Sequence, residues 1–480
     1  MNPFVSKSKA SVKSSSSGEK RDLGEVTVAR EPSLEGQPED EVDAVFGEGD
    51  GTINYRSLGW KSAVVMIVKS QIGVGVLGIP SSFETLGLYP GIIILLFFGV
   101  TTTWTDYYLG RFKLKYPQVY SLHDAGQLMF GPVGANIFGI SYWFLMAMIA
   151  SSALVSLSTA LNAISVHGLC TAGFVAIAAA ATYPVASLRT LGKIRWIGWI
   201  GLVSILSAIF TGMIAVAAGG RPSLAPQTGP LNLEIVKWGS PTFAEGMQAV
   251  SAIFFSLTGT SAFLPIASEL RDPRMYGRAV LLGQSMVVSL YLVVGIVVYV
   301  YAGQYVASPA LGTAGELIKR VAYGLALPGL FFTAVFYTHL PAKYIFVRIL
   351  RNSKHLNSST KTHWVTWLAC TFGCLLFSFI ICEVIPVFDG LVSLVGALFG
   401  AVCTLIAETL MYLWDTRARM RVKEQRTPAV WFGVVFNSLL LLVGCFVLVA
   451  GTYGSVVSIK DSYAAGTSGV FSCADNSGSV

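Results

Sequence analysis

The sequence predicts an all-α membrane protein with about eleven transmembrane helices: two five-helix halves of opposite orientation plus one extra C-terminal helix. Three observations lead to this prediction. Only 12% of the 480 residues are charged and 53% are hydrophobic, against roughly 25% charged residues in soluble domains. Eleven apolar segments are long enough to cross a bilayer, and Lys and Arg are concentrated in alternate connections between them. This composition argues against a water-soluble enzyme.

Residues 1–57 precede the first apolar segment and are rich in Ser, Lys, Glu, Asp and Gly. They contain no apolar core segment of the kind found in signal peptides. Because such a segment cannot bury enough apolar surface to fold, we expect a disordered cytosolic tail. Its serines and lysines between Ser6 and Lys20 could accept phosphate or ubiquitin, and a solvated tail without a specific site explains them equally well.

Residues 58–458 form the predicted transmembrane domain. Its eleven segments cover 60–88, 90–110, 133–163, 169–188, 194–218, 243–268, 277–303, 322–349, 363–385, 388–414 and 429–457. With the N-terminus in the cytosol, 27 of the 33 basic residues lie in or beside cytosolic connections, 5 lie outside, and Lys69 lies within a helix. This distribution follows the positive-inside rule. It leaves residues 459–480 as a short non-cytosolic tail.

Cysteine and histidine spacing indicates no metal site. The predicted topology places Cys170 and Cys473 on the same non-cytosolic side, where the two thiols could pair. The basic residues flank apolar runs, so they indicate a membrane surface rather than a nucleic-acid partner.

The first predicted helix contains Gly73, Gly75 and Gly78 followed by Pro80. The glycines match the pattern G-x-G-x-x-G, but a dinucleotide site would need a preceding strand, and both flanks here are transmembrane. Glycine and proline at mid-membrane depth instead predict an interrupted helix. Non-helical backbone is tolerated there only where it lines a cavity or is buried in protein.

The sixth predicted helix carries a second interruption of the same kind. Ser256 and Gly259 repeat Ser70 and Gly73 at a common offset of 186 residues, and Pro265 follows as Pro80 does in the first helix. Paired interruptions in two halves point to the binding site of a transporter, and five helices per half give the halves inverted topology. The alternative is that Gly and Pro are simply common in membrane helices.

An interrupted helix exposes free N–H groups, which attract an anion, and free C=O groups, which attract a cation. An α-amino acid carries both charges. We expect the backbone of residues 72–75 to hold its carboxylate and that of residues 256–260 to help hold its ammonium group. The predicted substrate-binding residues are Ile72, Gly73, Val74, Gly75, Phe255, Ser256, Leu257, Thr258, Gly259 and Thr260.

Neither interruption contains an acidic residue, and Lys69 would repel a cationic side chain, so a neutral amino acid is expected. Apolar residues of helices 3 and 6 could surround its side chain, although ordinary helix packing explains each of them as well. They are Trp143, Phe144, Met146, Met148, Phe254, Phe255 and Phe263.

Lys69 is the most unusual residue of the first helix. A lysine inside a membrane span costs roughly 2.5–3.5 kcal/mol on insertion scales and normally faces a cavity or a partner. We therefore predict that it couples transport to protons. The alternative is that its long side chain extends to the cytosolic surface.

Three further ionisable residues are weaker candidates. His339 and Tyr337 in helix 8 could line a pathway, although an interfacial position near Lys343 also explains His339. Glu408 in helix 10 could relay protons or form a structural pair. Asp106 lies near a predicted helix end, where we expect it to be solvated.

The pattern Lys69-x-x-Ile72-Gly73-x-Gly75-x-Leu77-Gly78-x-Pro80 resembles helix 1 of the amino acid/auxin permease family. The whole chain is most similar to fungal neutral amino acid permeases of the methyltryptophan-resistance type. This resemblance implies a LeuT-like fold with substrate between helices 1, 3, 6 and 8. Proton-coupled members carry a lysine at the position of Lys69, where sodium-coupled members carry an asparagine. The resemblance thus implies coupling to H⁺ rather than Na⁺, with no other cofactor.

The expected function is a secondary active transporter that imports neutral aliphatic or aromatic amino acids by H⁺ symport. Gln71 and Val74 differ from the animal proton-coupled pattern and leave the substrate open. No enzyme motif such as a P-loop or G-x-S-x-G occurs. The alternative is an amino-acid-sensing receptor without net transport. The expected location is the plasma membrane, with the vacuolar membrane as the alternative, and the oligomeric state stays open.

Overall fold

The structure is a computed structural model. It describes residues 58–188, 191–219, 221–350, 353, 355, 360–422, 427–465 and 469–478. The tail predicted over residues 1–57 lies outside the described residues.

The regular secondary structure of the described residues is helical, and one isolated β-bridge joins Leu58 and Leu270. The α-helices are α1 (Trp60–Gln71), α2 (Ile79–Leu86), α3 (Leu88–Lys115), α4 (Leu122–Ser165), α5 (Thr171–Ala186), α6 (Leu191–Ala217), α7 (Phe243–Ser256), α8 (Phe263–Glu269), α9 (Tyr276–Ala302), α10 (Glu316–Ile349), α11 (Lys361–Val384), α12 (Phe388–Val395), α13 (Ala407–Arg421), α14 (Pro428–Phe446) and α15 (Thr452–Ala464).

Each of the eleven predicted segments contains helix. The pairs α1–α2 and α7–α8 form the first and sixth segments, and both are interrupted where the sequence predicts it. The tenth and eleventh consist of α12–α13 and α14–α15, each joined by a π-helical stretch. Among the described residues, nine helical segments are long and apolar enough to span a membrane, and the bent pair α1–α2 makes ten. The remaining segment, α5, has 16 residues.

Several helices extend beyond their predicted boundaries. Helix α4 begins at Leu122 rather than 133, because Ser121 and Asp124 form a capping box there. The helix is then interrupted at Gly131, which has a φ of 66° and is followed by Pro132. At the other end of the chain, α15 continues to Ala464, past the boundary predicted at 459.

The interrupted helices lie in the interior of the bundle. Helix α1 packs against α9, α2 packs against α7 and α9, and α10 packs against both α4 and α6. The central parts of α4 and of α7–α8 are almost entirely buried, whereas α14–α15 is mostly exposed on the outside of the bundle. The extra C-terminal segment is therefore peripheral, and the two halves supply the centre.

A C-terminal strap, residues 469–478, crosses one end of the bundle. Its Cys473 forms a disulfide with Cys170, the pairing that the sequence left open. Hydrogen bonds tie the strap to α4, α5, α10 and α11. They include Asn476 Nδ2 to Ser158 Oγ (3.0 Å), Thr171 Oγ1 to Ala474 O (2.6 Å), Lys319 Nζ to Gly478 O (2.9 Å) and Phe471 N to Glu383 O (3.4 Å). The disulfide thus fixes a chain end that contacts four helices.

Removing this disulfide should destabilise the strap. It closes a loop of 303 residues, and disulfides of that kind contribute roughly 2–4 kcal/mol. We expect Cys170→Ser and Cys473→Ser to lower the melting temperature of the detergent-purified protein and to expose the C-terminus to proteolysis. Cys445→Ser is the control, since Cys445 is free and exposed. Equal melting curves and cleavage rates for all three variants would contradict this role.

Candidate functional site

The first interruption frees backbone N–H groups in the interior. Helix α1 ends at Gln71, Ile72 is extended, and the chain re-enters helix as 3-10 turns over Gly75–Gly78 before α2. The two helical parts are bent by 44°. Within the described chain, the N–H groups of Gly73 and Val74 make no backbone hydrogen bond. This polar backbone lies where the sequence predicts the carboxylate site.

The second interruption bends its helix less than the first one does. Helix α7 ends at Ser256, and 3-10 turns over Thr258–Ala262 lead into α8. Because 3-10 geometry replaces the i→i−4 ladder, carbonyls at the end of α7 lose regular helical partners. The expected carbonyl end therefore exists at Ser256.

Two tyrosines donate hydrogen bonds to carbonyls at the interruptions. The Tyr291 hydroxyl of α9 lies 2.8 Å from Gln71 O and 3.1 Å from Ser256 O, so one donor serves both interruptions. The Tyr337 hydroxyl of α10 donates to Ser70 O at 2.6 Å. Tyr291 was not predicted from the sequence. It can be recognised only from the position of α9 beside both interruptions, which the sequence does not reveal.

The interruptions contact each other through reciprocal glycines. A Cβ added at Gly75 would lie 2.6 Å from Ser256 Cα, and one added at Gly259 would lie 2.5 Å from Ser70 O. Both distances are shorter than van der Waals contact with backbone, so no other residue fits without moving the helices. Each glycine thus meets the serine of the opposite repeat.

A small cavity lies at this crossing. The space open to the centre of a water molecule is about 20 Å³, room for about one water. Its lining consists of Lys69, Ser70, Gln71, Ile72, Gly73, Val74, Gly75, Ile149, Phe255, Ser256, Thr258, Gly259, Thr333 and Tyr337. The cavity must widen before it can hold an amino acid.

Eight of the ten predicted substrate-binding residues line this cavity. The two exceptions are Leu257 and Thr260, which are fully buried. Thr260 Oγ1 instead donates to Thr404 Oγ1 at 3.2 Å. In 3-10 turns successive side chains point in directions about 120° apart, so a continuous run such as 256–260 cannot all face one cavity.

Of the seven apolar residues predicted to surround the substrate side chain, Phe255 lines the cavity and the other six do not. Phe144 stacks on Phe399 with ring centres 5.0 Å apart, and Trp143 packs on Phe377. Ile149 of α4 and residues of α10 line the cavity as well. A helix that is apolar all round gives no sequence signal for which face points to the centre, so these contacts were not predictable.

Lys69 is buried rather than extended to a surface. Its exposed fraction is 8%, and its Nζ lies 4.8 Å from the ring centre of Phe332 on α10. Its Cε lies near Gly201 of α6. Within the described chain it forms no salt bridge. The Lys69 side chain therefore does not extend to the cytosolic surface. Its ammonium group lies between α1, α6 and α10.

The weaker candidates separate in the structure. Tyr337 lines the cavity, whereas His339 is buried away from it, with Nδ1 3.0 Å from Ala186 O. Asp106, expected to be solvated, is completely buried, and Glu408 is 2% exposed. The expectation for Asp106 was wrong because α3 continues to Lys115, which places position 106 inside the bundle.

Comparison with known proteins identifies the family. The family model described as "Transmembrane amino acid transporter protein" matches residues 56–457. The chain belongs to this family. The transporter is 34% identical over 441 residues to a "Transmembrane transporter" of Fusarium pseudograminearum, covering 92% of each chain. It is 30% identical to the "N amino acid transport system protein" of Neurospora crassa, covering 95% of this chain and 94% of the relative. The predicted family is confirmed, and the transporter is a multi-pass membrane protein.

Solved structures show the same fold. A nucleobase-cation-symport-1 family transporter in a closed conformation superimposes with a TM-score of 0.54 at 14% identity, covering 88% of this chain and 96% of that one. A Na⁺-coupled sialic acid symporter gives a TM-score of 0.51 at 12% identity, covering 87% and 94%. The LeuT-like fold prediction is confirmed.

Alanine at either crossing glycine should destroy the site. We expect Gly75→Ala and Gly259→Ala to abolish substrate binding, because each Cβ would meet backbone atoms of the opposite interruption. The control is Gly373→Ala in α11, where nothing lies within 4 Å of the added Cβ. Binding of labelled amino acids to the purified protein checks this. Wild-type affinity in both site variants would show that the interruptions do not form the site.

Proposed function

We propose that this transporter imports neutral amino acids by H⁺ symport with alternating access. The observation that carries the proposal is the crossing of two interrupted helices. Gly73 and Val74, whose N–H groups make no backbone hydrogen bond within the described chain, line one cavity together with Ser256, Thr258 and Gly259. Free N–H groups at the start of a helical segment favour an anion such as a carboxylate. The carbonyl ends of the two helices favour the ammonium group.

Two features of the lining favour a neutral side chain. Ile72, Val74, Ile149 and Phe255 supply apolar wall, and none of the described residues that line the cavity is acidic. A cationic substrate would lack a counter-charge there, and it would be repelled by Lys69. An aliphatic or aromatic side chain would be stabilised by roughly 25 cal/mol per Å² of apolar area that it buries.

Lys69 is the proposed proton-coupling residue. An ammonium group buried without a carboxylate is costly, and the face of Phe332 compensates part of that cost through a cation–π contact. Lys69 directly precedes Ser70 and Gln71, whose carbonyls receive the tyrosine hydrogen bonds. Its charge therefore acts on the end of α1 that must move when the cavity opens.

The orientation belongs to the same proposal. Disulfides form in oxidising compartments, and Cys170–Cys473 lies in the region that the charge distribution places outside the cytosol. This supports a cytosolic N-terminus and an outward-facing strap. Of the two candidate locations, we propose the plasma membrane rather than the vacuolar membrane.

Transport should follow a proton gradient. In proteoliposomes made with purified transporter and no sodium, a labelled neutral amino acid should accumulate when the outside is acidified. A protonophore should abolish the accumulation. Competition by a panel of unlabelled amino acids measures side-chain preference. Accumulation that needs a sodium gradient and ignores the proton gradient would contradict the coupling assignment.

Counterflow separates a transporter from a sensor. Labelled substrate should exchange for unlabelled substrate preloaded in the vesicles, because a carrier reorients with either molecule bound. Binding without exchange would instead identify an amino-acid-sensing receptor.

Replacing Lys69 should uncouple transport from protons. We expect Lys69→Ala to retain counterflow but to lose accumulation driven by the pH gradient, because no charge then remains at the end of α1. Lys460→Ala is the control, since Lys460 is exposed on α15. Unchanged gradient-driven accumulation in Lys69→Ala would remove this residue from the coupling mechanism.

A further inference from the structure

Two carboxyl groups are buried together at the contact of α3 with α13. Asp106 is 0% exposed and Glu408 is 2% exposed, and the two side chains lie close enough to interact electrostatically. Glu408 also interacts with Thr105, the neighbour of Asp106. No Lys, Arg or His of the described chain forms a salt bridge with either group.

Both carboxyl groups keep a free oxygen. Asp106 Oδ1 and Glu408 Oε2 are buried and have no hydrogen-bond partner in the described structure. Two ionised carboxylates in a membrane interior without a cation would repel each other and lose their hydration. A proton held by the pair removes one charge and supplies a donor for one free oxygen.

A tyrosine of α9 lies beside both carboxyl groups. The Tyr276 hydroxyl is buried, has no hydrogen-bond partner among the described residues, and lies near both carboxyl groups. Its ring fits because α3 has a glycine there: a Cβ at Gly110 would lie 2.0 Å from Tyr276 Cδ1. Among the described residues, Cys403 from the π-helical stretch between α12 and α13 is a further titratable group near Glu408.

An amide chain connects this pair to the substrate cavity. Gln284 Nε2 of α9 donates to Asp106 Oδ2 at 2.6 Å, and Gln71 Nε2 donates to Gln284 Oε1 at 3.0 Å. Gln71 is the last residue of α1 and lines the cavity. Gln284 donates through its amide nitrogen to Asp106 and accepts through its amide oxygen from Gln71. A change of charge on Asp106 would therefore reach, through Gln284, the side chain of Gln71 at the end of α1.

We propose that Asp106 and Glu408 together hold one exchangeable proton, and that Gln284 and Gln71 transmit its presence to the interrupted helix. The proton comes from water on one side of the membrane and returns to water on the other, with no other bond formed or broken. The pair is a positioning element, since it acts on substrate through Gln71. This inference rests on the proposed function, and it adds a proton site on the side of the interruption opposite to Lys69.

The test compares Asp106→Asn and Glu408→Gln with the wild type in proteoliposomes. Both replacements are nearly isosteric and keep an oxygen that can accept a hydrogen bond. We expect each variant to retain counterflow while accumulation driven by the pH gradient falls at least tenfold, and the pH profile of uptake to flatten. Asp415→Asn is the matched control on α13, because Asp415 pairs with Lys115 at 2.6 Å away from the cavity. It should behave as wild type.

Infrared difference spectroscopy of the full-length protein supplies a readout that does not depend on transport. Wild type should show the C=O stretch of a protonated carboxyl group that titrates with pH, and the double variant Asp106→Asn/Glu408→Gln should lack it. Wild-type coupling and pH profiles in both single variants, or the same titrating band in the double variant, would overturn the proposal. A wild type that shows the band but no counterflow would contradict the proposed function while leaving the proton site supported.

Discussion

The structure depends on one constraint: backbone N–H and C=O groups inside a bilayer must find partners within the protein. A helix satisfies them along its length, and an interrupted helix does not. This transporter interrupts two central helices and brings the interruptions together, with Gly75 against Ser256 and Gly259 against Ser70. Residues of both interruptions then line one small cavity. The cost of exposing backbone is thereby confined to the position where a zwitterionic ligand can offset it.

The surrounding helices stabilise this crossing in different ways. The hydroxyls of Tyr291 and Tyr337 donate hydrogen bonds to carbonyls at the interruptions, and the Tyr291 hydroxyl reaches both interruptions. Lys69 places a buried amine beside α6 and α10, while Gln71 begins an amide chain that ends at Asp106. In the proposed mechanism, these two chemically opposite ionisable sites act on neighbouring residues at the end of α1. The proposal thereby links substrate binding and charge through the same turn of backbone.

Much of this arrangement could be predicted from the sequence. Hydropathy, basic-residue placement and the matched Ser/Gly offsets predicted the helical segments and both interruptions, because these signals are local or periodic. Contacts between distant helices were not predictable. Ile149, Thr333 and Tyr291 reach the site through the rotation of their helices, and apolar composition does not determine that rotation. Asp106 was misplaced because the predicted segment ended at residue 110, whereas α3 continues to Lys115. Asp106 therefore lies within the helix rather than near its end.

The most direct test of the central claim is an experimental structure of the transporter with a neutral amino acid bound. We predict the substrate carboxylate at the N–H groups of Gly73 and Val74 and its ammonium group near the carbonyls of Gln71 and Ser256. We also expect the cavity to widen while Gly75 and Gly259 stay at the crossing. Substrate density elsewhere in the bundle, with both interruptions unoccupied by ligand, would contradict it.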